Sequence, residues 1–73
     1  MEIVIKKVSH DQLLVNGYYL FVCKDKEGVV FYSTPVGDKN YNYGSIEQAV
    51  KDLDQNYSKY MDSHYHYHNR WQY

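Results

Sequence analysis

His64-Tyr65-His66-Tyr67-His68 is the stretch of this chain whose residue types come nearest to a chemical site. In a helix, His64 and His68 stand one turn apart on one face, as metal-binding pairs often do, while His66 points elsewhere. In an extended segment all three imidazoles share a side. Unperturbed imidazole is mostly neutral near pH 7 and can hold Zn²⁺ or another divalent ion. A metal at His64, His66 and His68 is therefore one expectation, and no other cofactor is expected. A structural zinc site wants four ligands, so Asp62 or a neighbouring chain would have to complete the set. The plainer reading makes these residues part of an amphipathic interface.

Other groups offer less. Cys23 is the only cysteine and sits inside an apolar run, Val22-Cys23-Lys24. A catalytic thiol needs an electropositive, accessible setting, and one lysine does not make it. His10 and Asp11 are sequence neighbours and lack a nucleophile held against them. Nucleophile elbow, phosphate-binding loop, HExxH and dinucleotide fingerprint are all missing from the sequence. The expectation is a protein that is not an enzyme. Tyr18, Tyr19, Phe31 and Tyr32 could stack single-stranded bases. Against that, Lys+Arg number 8 and Asp+Glu 9, for a net charge of −1, so phosphate is not attracted and nucleic acid is disfavoured.

The elements that must position these groups change character at Gly44. Before it, β-branched and aromatic residues alternate with turn signals. Ile3–Val15 is expected as one long strand, bulged or bent around Ser9-His10-Asp11-Gln12, with two short strands around that segment as the alternative. Asn16-Gly17 is the pair favoured in a type I′ hairpin turn. Tyr18–Lys24 is the next strand, and Asp25-Lys26-Glu27-Gly28 a type I turn closed by a left-handed glycine. Val29–Thr34 follows, stopped by Pro35, and Val36–Tyr43 reads as a polar loop. Ser45-Ile46-Glu47-Gln48 is a capping box that starts a helix. From there Ile46, Val50, Leu53, Tyr57, Tyr60, His64, Tyr67 and Trp71 recur at alternating spacings of four and three, one continuous apolar stripe. The expected fold is α+β in a single domain. A three-stranded, or four-stranded, antiparallel meander fills 1–36, a loop 37–44, and one long amphipathic helix 45–71, with 62–64 as the place for a break.

Two surfaces in this arrangement lack cover. Both faces of the sheet are apolar: Tyr18, Leu20 and Val22 on one, Tyr19, Phe21 and Cys23 on the other. A single helix covers only one. A helix over 45–71 is also about 40 Å long, whereas a strand of six or seven residues spans roughly 20–23 Å. Its overhang carries Tyr57, Tyr60, Met61, His64, Tyr67 and Trp71. Burying one such side chain is worth roughly 1.5–3 kcal/mol. Self-association into a homodimer or larger ring through these residues is the favoured resolution. The other is a break near Asp62-Ser63 that folds the last residues over the sheet's second face.

Ten tyrosines, with large contact area and few rotors, point to recognition. Asn40, Tyr41, Asn42 and Tyr43 are the expected partner-binding loop. In size, aromatic content and want of catalytic motifs, the chain is similar in kind to small phage and mobile-element proteins, anti-CRISPR proteins among them, that block host machinery. That likeness implies a non-enzymatic inhibitor occupying a host or partner protein. The alternative classes are a metal- or small-ligand-sequestering protein (a nucleotide, for example) and a single-stranded nucleic-acid binder. A lone cysteine and the lack of an apolar span or secretory leader suggest the cytoplasm, away from membranes.

Overall fold

In a computed structural model, residues 2–71 are described, with side chains over 2–61. Five strands precede one helix: β1 Ile5–Ser9, β2 Gln12–Val15, β3 Tyr18–Lys24, β4 Val30–Val36, β5 Lys39–Tyr43 and α1 Ile46–Trp71. The strands form one antiparallel meander in the order β1-β2-β3-β4-β5. The α+β class and the order of sheet before helix are as expected, but the strand count is not.

Two segments account for the difference. Ile3–Val15 is not the favoured bent strand but the alternative, two short strands, paired as a hairpin with Ser9 opposite Gln12 and an irregularity between Lys7 and Ser9. His10-Asp11 form its turn, and Asp11 is held when its carbonyl accepts from the Val22 N–H at 2.8 Å. Val36–Tyr43 is not a loop either. Gly37, at φ 68°, leads a two-residue turn, and the glycine-first form of such a turn suits strand twist. Lys39–Tyr43 then returns along β4, with Asn42 opposite Ser33 and Tyr41 opposite Thr34.

Pro35 does not stop β4. The β3–β4 ladder ends at Phe21 opposite Ser33, and Pro35 pairs with Asn40 on the other side. The missing N–H falls where β3 and β4 have parted, so the proline is tolerated.

The remaining turns follow their residue types. Asn16 (φ 49°) and Gly17 (φ 89°) are both left-handed, as a type I′ turn requires. Asn16 also ties the chain's start to the sheet: its side-chain oxygen accepts from the Val4 N–H at 2.7 Å, and its side-chain N–H donates to the Glu2 carbonyl at 2.9 Å. The Gly28 N–H donates to the Asp25 carbonyl at 3.0 Å, with Gly28 at φ 82°.

Helix α1 starts at the expected cap. The Gln48 N–H donates to Ser45 Oγ at 3.1 Å, while Gln48 Oε1 accepts from the Gly44 N–H at 3.2 Å, one residue before the cap. The helix packs on β4 and β5 and is continuous through 62–64. Val15, Leu20 and Val36 from the sheet meet Ala49, Val50 and Leu53 from the helix, and all are buried. Twenty-six residues extend about 39 Å, against about 23 Å for the seven of β4. The helix therefore outruns the sheet.

Candidate functional site

Alternation assigns the inner face to Leu20, Val22, Tyr32, Thr34, Val36, Tyr41 and Tyr43, and the outer face to their neighbours. Across the outer face Gln12, Phe21, Ser33 and Asn42 stand in one row, Leu14 faces Tyr19, and Cys23 faces Phe31. No described element lies over this face. Tyr19 is 51 % exposed and Phe21 38 % exposed, with half-buried Leu14, Cys23 and Phe31 around them. An aromatic centre with a rim of Lys6, Gln12 and Asn42 has the make-up of a protein interface. The Cys23 thiol lies 3.7 Å from the Phe21 carbonyl, a weak contact that gives no sign of activation.

The tyrosines have a second use that the sequence reading missed. Tyr18, Tyr32, Tyr41, Tyr43, Tyr57 and Tyr60 sit between sheet and helix. Asp52, beside the apolar stripe of the helix, anchors two of them. Its Oδ2 accepts from the Tyr43 hydroxyl at 2.6 Å and from the Tyr60 hydroxyl at 2.9 Å, and Oδ1 accepts from Asn56 Nδ2 at 2.9 Å. The Tyr60 ring stacks on Tyr41, with centroids 4.3 Å apart. Two residues further along and facing β3, Asp54 Oδ1 accepts from the Tyr18 hydroxyl at 2.7 Å, and the Tyr18 and Tyr57 rings meet at 5.6 Å. Spacing alone held a signal here: Asp52, Asn56 and Tyr60 form an i, i+4, i+8 column beside the apolar stripe.

These contacts decide where the predicted residues stand. Asn40, Tyr41, Asn42 and Tyr43, expected as a loop, are strand residues. Tyr43 is buried and Tyr41 half-buried against the helix, which leaves Asn40 and Asn42 exposed. Of the expected interface set, Tyr57 and Met61 are 40 % and 39 % exposed, while Tyr60 is half-buried and bonded. The side chains of His64, Tyr67 and Trp71, and of His66 and His68 in the expected metal set, lie outside the described residues. Among the described residues no group of three or more His, Cys, Asp or Glu is gathered to hold a metal. No described helix is long and apolar enough to cross a membrane.

Where β3 and β4 part, Gly17, Tyr18, Tyr19, Thr34, Pro35 and Tyr57 line an open groove of about 290 Å³. Thr34 is buried at its base, and its hydroxyl has no hydrogen-bond partner among the described residues.

The carboxylates also set the tyrosine acidities. The hydrogen bond to Asp54, with burial and the nearby negative charge, pushes the Tyr18 hydroxyl up from 10.0 to about 12. Burial first, then the bond to Asp52, drives Tyr43 higher still, and Asp52 raises Tyr60. A hydroxyl that holds its proton more tightly when folded contributes stability below its unfolded pKa and loses it as pH rises through the folded value. Stability against urea should therefore fall between about pH 10 and 12, with helix loss and tyrosinate absorbance rising together. Unchanged stability across that range would contradict these bonds.

No protein-family model, curated protein or solved structure matches this chain.

Proposed function

We propose that this protein is a non-enzymatic binding protein that self-associates and acts by covering a surface of a partner protein. The bare aromatic outer face of the sheet carries this reading. Tyr19 and Phe21 are exposed at 51 % and 38 % in the middle of an ordered five-stranded platform. Isolated exposed apolar residues are ordinary, whereas a contiguous aromatic patch on a rigid sheet marks an interaction surface. The helix that outruns the sheet, with Tyr57 and Met61 exposed before its final turns, adds a second surface of the same kind. A partner protein suits the near-neutral charge better than nucleic acid does. The small size and the want of catalytic motifs in the sequence favour a blocking factor of the phage or mobile-element anti-defence type.

The test is a photo-crosslinking residue placed at Phe21, compared with one at exposed Glu47, in cells that express the protein. The reading predicts a discrete adduct with a second protein from position 21 and little from position 47. Equal, diffuse labelling from both positions, or none from position 21, would contradict it.

A further inference from the structure

The two edges of the sheet are treated differently. β1 is guarded: Lys6 and Lys7 lie within it, and the irregularity between Lys7 and Ser9 bends its free side. Internal charges and bulges are the usual means by which an edge avoids pairing. β5 has neither. Past Lys39 its sequence is Asn40-Tyr41-Asn42-Tyr43, regular in register along its whole length. It is also tied to the helix, because Tyr43 is bonded to Asp52 and Tyr41 is stacked on Tyr60.

The two-residue turn at Gly37-Asp38 makes Val36–Lys39 a hydrogen-bonded pair, and alternation then makes Tyr41 and Tyr43 bonded to β4 as well. The N–H and C=O groups of Asn40 and Asn42 therefore point away from the sheet, along a free edge. That edge is self-complementary. With Tyr41 on a two-fold axis, Asn40 falls opposite the partner's Asn42, Asn42 opposite the partner's Asn40, and each pair exchanges both backbone bonds. In the same register Lys39, on the helix side of the sheet, falls opposite the partner's Tyr43, whose hydroxyl is bonded to Asp52. Lys39 has no ion-pair partner among the described residues. The dimer would place its ammonium beside the partner's Asp52, twice by symmetry. With α1 packed on both β4 and β5, the two helices would lie about 10 Å apart at a strand spacing of about 4.8 Å, which is the distance of direct helix packing, so they would meet over the joined edges.

We propose that the free edge of β5 pairs antiparallel with β5 of a second copy about a two-fold axis at Tyr41, extending the sheet across both chains. This rests on the self-association put forward above and assigns its surface. It also joins the two outer faces into one platform.

Sedimentation of the full chain and three variants tests it. Asn42→Pro removes an N–H that faces away from β4, so the sheet keeps its own bonds and the dimer should become monomer. N40K/N42K sets lysine against lysine at both pairs and should weaken association about tenfold. N40K/N42E sets opposite charges there and should restore it. If N40K/N42K and N40K/N42E sediment alike, or Asn42→Pro folds and remains dimeric, the assembly uses another surface, and this inference falls while self-association stands. If the unmodified chain is monomeric at every concentration, both fall.

Discussion

Asp52→Ala should destabilise the protein by about 2–3 kcal/mol, far more than an ordinary surface substitution. The reason is that Tyr43 is buried and its hydroxyl has Asp52 as its acceptor at 2.6 Å. Removing the carboxylate leaves that hydroxyl without its acceptor, and the penalty is larger because the lost bond was charge-assisted. Asp54→Ala is the matched control. Its bond to Tyr18 is solvent-exposed, so its loss should cost less than ~1 kcal/mol. Equal effects for the two substitutions in urea unfolding would show that the Asp52 cluster is not an anchor. Asp52 also carries a pH signature. The bond from Tyr43, aided by Tyr60 and Asn56 and opposed by burial, holds its carboxyl below the usual 3.8. A carboxyl with a depressed folded pKa contributes stability above its unfolded value and loses it as pH falls through the folded one. Stability should therefore drop as pH falls below about 3.8, and Asp52→Asn should flatten that part of the profile.

Leu53→Ala should have a larger effect still. Leu53 is fully buried among Val15, Leu20 and Val50. Truncating such a leucine costs about 2–5 kcal/mol, depending on how far the site can collapse. A chain of 73 residues has a total stability of only about 4–11 kcal/mol, at roughly 0.05–0.15 kcal/mol per residue. The variant should thus lose a large share of its folded margin, with a much lower melting temperature. Met61→Ala, at a position 39 % exposed, is the contrast and should change stability little. A Leu53→Ala protein as stable as the original would mean that α1 is not seated where Val50 and Leu53 place it.

Much of this architecture was legible because local chemistry and global pattern agree. Ser45 and Gln48 announce the helix, Asn16-Gly17 and Asp25–Gly28 announce their turns, and the stripe from Ile46 to Tyr60 selects the face that meets the sheet. What escaped reading has physical causes. β5 is Asn-Tyr-Asn-Tyr, and asparagine is so poor a strand former that the segment resembles a loop. Its period of two and the Gly37-Asp38 turn before it were the contrary signals. Pro35 misled because its effect depends on which neighbour its N–H would have faced, and that is set by the register of β3 with β4. The turn at His10-Asp11 has no glycine to mark it. Asp52 was passed over because a carboxylate beside an apolar stripe is normally solvated. Only the fold shows that two tyrosine hydroxyls converge on it. The tyrosines were read mainly as contact surface, yet most of the described ones close the sheet against the helix, and Tyr19 faces outward.

Sedimentation equilibrium of the unaltered chain, over a wide concentration range at neutral pH, asks most directly whether one copy can satisfy its own surfaces. With the sheet's outer side uncovered and the β5 edge unguarded, the expected mass is twice the 8.8 kDa of a single chain. A mass of 8.8 kDa at every concentration would contradict the account.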